Sequence, residues 1–109
     1  MLQHLDSHQT RCLIADGANS EYCNVQIQEW DYAKSVYRTE KVYGLADLIA
    51  LLPKEMSKNG IPYSLEIRWV FGLWMVRYVA LGDEVLQETL EPELINALYL
   101  LYGWFLRHR

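Results

Sequence analysis

From Tyr63 to Gly82 the chain alternates apolar and polar positions on both sides of Gly72, the period of two expected of a half-buried antiparallel hairpin. Tyr63, Leu65, Ile67, Trp69 and Phe71 fall on one face, with Ser64, Glu66 and Arg68 on the other. Trp74, Val76, Tyr78 and Ala80 continue the first face on the return strand. A type II′ turn with Gly72 and Leu73 at its centre pairs Phe71 with Trp74, Trp69 with Val76, Ile67 with Tyr78 and Leu65 with Ala80. It also sets Arg68 opposite Arg77, a local cost. A two-residue slip instead pairs Glu66 with Arg77 but puts Phe71 in the turn, so the glycine-first register is the expected one.

Elsewhere the pattern is helical. Leu45, Leu48, Ile49 and Leu52 recur at i, i+3, i+4 and i+7, and Pro53 limits that helix. Leu94, Ile95, Leu98, Leu101, Tyr102 and Phe105 form a broad stripe behind Pro92. Acids at its start and Arg107, His108 and Arg109 at its end complement the helix dipole. Residues 20–43 fit two periods, since Cys23, Val25 and Ile27 alternate while Ile27, Trp30, Ala33, Lys34 and Tyr37 recur at three and four. The expected solution is an extended entry to Val25 and then a helix over Gln26–Arg38. Pro53–Lys58 reads as a helical turn closed by Asn59-Gly60, and Glu84–Leu90 as a third strand. Residues 1–10 read as a flexible terminus, followed by a short strand at Cys12–Ala15.

The expected fold class is therefore α+β: an antiparallel hairpin or three-stranded sheet packed against three helices, in the order α-α-β-β-(β)-α with a short N-terminal strand. At 109 residues, 51% hydrophobic, the chain suits a single domain over 11–109 with its own core. No window reaches the roughly 20 apolar residues that span a bilayer, which points away from a membrane protein. The first twelve residues lack the pattern of a secretory signal, so a cytoplasmic location is expected.

Charge adds one constraint. Residues 1–33 carry a net −4, residues 34–77 a net +3 and residues 78–109 a net −3. Asp83, Glu84, Glu88, Glu91 and Glu93 run without an intervening base, which repels a phosphate backbone and argues against nucleic acid as a partner. The run lacks the alternating ligands and central glycine of a calcium loop, and a solvated loop before a helix explains it. His4 and His8 are four apart with no third ligand implied, and Cys12 or Cys23 with a histidine matches no cysteine-hydrolase signature. No phosphate loop, Ser/His/Asp order or zinc pairing is present, so no cofactor, metal or catalytic residue is expected.

Eight Tyr and four Trp exceed what a small core needs, and amphipathic rings are common interface anchors. Val70, Met75, Val79 and Leu81 lie on the sheet face opposite the core, where either the helices at 26–38 and 45–52 or a partner must cover them. The leading expectation is a non-enzymatic protein-interaction module, binding a protein partner or itself as a homodimer. Candidate contact residues are Met75, Val79 and Tyr99. The rival expectation is an acidic inhibitor that blocks a basic site through Asp83, Glu84, Glu88, Glu91 and Glu93. A small ligand-binding protein or enzyme without a recognisable motif comes third.

The strings LLPKEM, NGIPYSLEIRW and ELINALYLLYGWFLRHR resemble, in this order, small uncharacterised α+β proteins from phage-derived and mobile regions of gut bacteria. The resemblance covers residues 44–109 and implies a cytoplasmic, phage-related protein. It transfers no catalytic or binding residue.

Overall fold

Asp6 starts the first element. Its carboxylate accepts from Gln9 N at 2.7 Å while the Gln9 side chain accepts from Asp6 N at 3.2 Å, a reciprocal cap that sets off helix α1 (Ser7–Ala15). The structure, a computed structural model, describes residues 3–109. Of the flexible terminus expected over 1–10, residues 1 and 2 lie outside the described residues; among the rest, His4 bridges to Gly44, Leu5 N donates to Tyr43 O, and Leu5 is fully buried. Cys12–Ala15 belongs to α1, correcting the strand expected there.

The expected helix over 26–38 is a second hairpin. β1 (Val25–Asp31) pairs antiparallel with β2 (Val36–Val42), from Val25 opposite Val42 to Asp31 opposite Val36. Asp31 makes the turn by accepting at Oδ1 from Ala33 N (3.0 Å) and Lys34 N (3.2 Å), and Ser35 follows at φ +51°. A side-chain oxygen that satisfies these two amides replaces the helical bonds the segment would otherwise need.

Helix α2 (Leu45–Leu51) forms where expected, with Leu48 buried. Asp47 fastens its start, accepting from Gly44 N and Asn24 Nδ2, both at 2.7 Å. After Pro53 the chain is extended, not helical: β3 (Glu55–Lys58) turns through Asn59-Gly60, both at positive φ, into β4 (Ile61–Val70). β5 (Leu73–Val79) and β6 (Val85–Glu91) complete a four-stranded antiparallel sheet in the order β3-β4-β5-β6. Helix α3 (Leu94–His108) ends the chain. The order α-β-β-α-β-β-β-β-α, with sheets of two and four strands, replaces the expected α-α-β-β-(β)-α with its hairpin or three strands.

The register of β4 and β5 also departs from expectation. Phe71 (φ +50°) and Gly72 (φ +83°) form the turn, so Trp69 faces Trp74, Ile67 faces Val76 and Glu66 faces Arg77. Moving by two residues leaves every side chain on its face, so the core pattern is indifferent to the slip. The slip trades an Arg68–Arg77 clash for a Glu66–Arg77 pair and places Phe71 fully in solvent.

The core lies between one face of the four-stranded sheet and the helices. Tyr63, Val76 and Tyr78 pack with Leu48, Leu52, Ile95, Leu98 and Leu101. Thr89, buried on β6, shares its hydroxyl between Ala97 O on α3 (2.9 Å) and Val76 O on β5 (3.2 Å). Each fully covered large side chain contributes about 1.5–3 kcal/mol. The β1–β2 hairpin projects from this body, so the radius of gyration is 15.5 Å, against about 13 Å for a compact chain of this length.

Two expectations follow. Phe71 touches no core residue and holds a left-handed conformation that suits Asn, so Phe71→Asn should raise stability by about 0.5–1 kcal/mol in urea titration. Tyr78, whose hydroxyl donates to Pro53 O at 2.8 Å, has its phenol pushed above the ordinary range by burial. The folded chain thus favours the neutral phenol, and its contribution is complete below about pH 10 and lost as pH rises further. Tyr78→Phe should cost about 1 kcal/mol at neutral pH by orphaning Pro53 O and should flatten the alkaline decline in unfolding midpoints.

Candidate interaction surface

Alternation that buries Tyr63, Leu65, Ile67, Val76 and Tyr78 on one side of the sheet sends the intervening residues to the other. Three rows cross that outer face. Ser64, Val79 and Val85 form one, Glu66, Arg77 and Glu88 the next, and Arg68, Met75 and Leu90 the third. None of Met75, Val79, Val85 or Leu90 belongs to the core cluster, although Met75 is itself buried at 8% exposure. The helix expected at 26–38 to cover this face does not exist, and α2 packs against α3 on the other side.

The middle row is electrostatic. Arg77 reaches Glu66 at 3.4 Å and Glu88 at 3.6 Å, and Arg68 reaches Glu66 at 3.4 Å. Only 16% of the Arg77 side chain is exposed, and its Nε has no hydrogen-bond partner among the described atoms. A guanidinium between two carboxylates holds three strands in register, and its stem lies among the apolar rows on either side. Leu81 (99% exposed) and Leu90 (49%) then present bare hydrocarbon at the margins. A groove of about 400 Å³ lined by Glu55, Pro62, Ser64, Val79, Ala80 and Leu81 indents the same face.

Of the residues singled out from the sequence, Met75, Val79 and Glu88 meet on this surface. Tyr99 does not. It lies on α3 beside a small cleft with Leu13, Asp16 and Arg107, where burial and the neighbouring Cys12 thiol raise its phenol pKa. The acidic run is dispersed. Asp83 occupies the β5–β6 turn at φ +65°, and Glu84 accepts from the Tyr63 hydroxyl at 3.4 Å. Glu88 is engaged by Arg77, Glu91 pairs with Trp74 on the core-facing side, and Glu93 precedes α3. Five carboxylates in sequence thus point in several directions, because alternate residues of β6 face opposite ways.

The sequence pattern missed Val85 and Leu90 as surface residues, since alternation in 84–90 is broken by a register shift where β6 meets Tyr78 and Val79. It also missed an aromatic cluster at the tip of the first hairpin. Trp30 stands edge-on to Tyr37 at 5.0 Å and to Tyr32 at 6.4 Å, all three exposed. The Asp31 side-chain turn was the readable signal for it.

Other chemistry is thin. Cys12 Sγ lies 3.7 Å from His8 Nε2 one helical turn earlier. Among the described residues no group of three or more His, Cys, Asp or Glu could hold a metal ion. No described helix is long and apolar enough to cross a membrane. No family model, curated protein or solved structure matches the chain.

Removing the guanidinium while keeping apolar bulk tests the middle row. Arg77→Met should cost about 1–2 kcal/mol at low ionic strength by leaving Glu88 without this partner and Glu66 with Arg68 alone, both carboxylates being mostly buried. The loss should shrink in 1 M salt, as the screening length falls to roughly 3 Å. Urea unfolding at two salt concentrations reads both effects.

Proposed function

We propose that the chain is a non-enzymatic protein-interaction module that docks a partner protein on the outer face of β3–β6. The observation that carries this reading is an apolar sheet face, with Val79, Leu81, Val85 and Leu90 around the Arg77 ion pairs, that no described helix covers. Hydrocarbon rows flanking a largely buried arginine suit an interface centre, where Arg is enriched. Two free thiols suit action in a reducing cytoplasm. The likeness of residues 44–109 to phage-related proteins is compatible with such a role.

The test compares affinity capture from the native cell with the wild type and with a Val85→Glu/Leu90→Glu variant. Both positions are partly exposed, so the melting temperature should move by no more than about 4 °C. A partner held by the wild type, lost by the double variant and rebound by purified wild type is the expected result. Identical sets captured by both proteins would remove the outer face as the docking site.

A further inference from the structure

β1 and β2 form a sheet of only two strands, so each keeps one edge of backbone amides and carbonyls without a strand neighbour. Hairpins of this kind are marginal in water, and open edges are templates for another chain. The direction of the β2 edge can be read at its end. Tyr43 N donates to the Thr10 hydroxyl at 3.4 Å and Tyr43 O accepts from Leu5 N at 2.9 Å, both away from β1. Because these groups alternate sides along a strand, those of Tyr37, Thr39 and Lys41 face the same open edge.

We propose that this edge pairs antiparallel with the same edge of a second copy about a two-fold axis at Thr39, joining two hairpins into a four-stranded sheet. The side-chain sequence Val36-Tyr37-Arg38-Thr39-Glu40-Lys41-Val42 is complementary to itself in that register. Thr39 meets Thr39, Arg38 of each copy meets Glu40 of the other, and Tyr37 meets Lys41. The Arg38–Glu40 pairs fall at the non-hydrogen-bonded positions, where side chains approach closest. On the opposite face Lys41 comes over the ring of Tyr37, a cation–π contact beside the Trp30–Tyr37 pair.

Within one chain Arg38 already sits 3.8 Å from Glu29 and 3.2 Å from Glu40. The second copy's Glu40 would take its remaining side, giving rows that alternate in sign across the joint. Leu5 and Thr10 stand beside Tyr43, which limits the paired span to Tyr37–Lys41. Roughly six backbone hydrogen bonds are available there. The edge of β6 does not match in the same way: turned on itself about Glu88 it sets Glu88 against Glu88.

Charge reversal with mixing tests the register. Wild-type mass by light scattering should rise from 12.8 kDa toward twice that value with concentration. Arg38→Glu alone and Glu40→Arg alone each place like charges at both joints, and each should weaken the dimer at least tenfold. An equimolar mixture of the two variants restores opposite charges at every joint and should dimerise within about threefold of the wild type. Thr39→Pro, which removes an outward N–H but no bond to β1, should be monomeric with an unchanged circular-dichroism spectrum. A wild type that stays at one chain up to millimolar concentration overturns the proposal. So does a mixture that associates no better than its components. A dimer that persists in both single variants would be built on another surface, the outer face of β3–β6 among them, and would also overturn it.

Discussion

The burial of α3 against β5 and β6 is the contact on which the other elements depend. Ile95, Leu98 and Leu101 come from one stripe of the helix, and Val76 and Tyr78 from one face of the central strand. Leu5, Leu13, Tyr43 and Leu48 then close around the far side of α3, so α1, α2 and the root of the first hairpin are all arranged by that helix. Thr89 ties the helix to the sheet, because its one hydroxyl proton is shared between Ala97 O and Val76 O. A single covering layer has a direct cost. The described helices cover one side of the larger sheet, and the other side keeps its apolar rows.

How much of this was legible depended on whether a segment's pattern admitted a rival period. The stripe of α3 and the alternation around Gly72 admit none, and both a helix and a hairpin form there, the hairpin with its turn one residue earlier than expected. Residues 25–42 admit two, because Ile27, Trp30, Ala33, Lys34 and Tyr37 sit at helical spacing by coincidence of a four-residue turn. What decided the matter was Asp31, whose carboxylate captures two turn amides, a local bond invisible to hydrophobic periodicity. Pro53–Lys58 failed for a related reason. Proline at a first helical position and proline before an edge strand read alike, and the Asn59-Gly60 turn, which strongly favours a hairpin, settles it.

The surface was legible to a lesser degree. Met75 and Val79 follow from alternation alone, whereas Val85 and Leu90 are hidden by the irregular start of β6, and the expected cover from a second helix vanished with the helix itself. The register of β4 and β5 shows a different limit. Hydrophobic pattern cannot separate registers two residues apart, so the choice falls to Arg77, which faces Glu66 in one of them and Arg68 in the other. Phe71 bears the consequence, adopting a conformation that bulky side chains rarely take.

The projecting hairpin also governs how the molecule moves through water. With principal extents of 55 × 31 × 18 Å, a single chain sweeps out a larger volume as it tumbles than a sphere of the same mass. It should diffuse and rotate slowly for 12.8 kDa, with friction that depends on the axis of rotation. A ring at the tip, such as Tyr32 at 87% exposure, would meet an approaching molecule before the body of the domain does. The arm thus widens the target that a monomer presents to collisions, independently of how tightly any encounter is held.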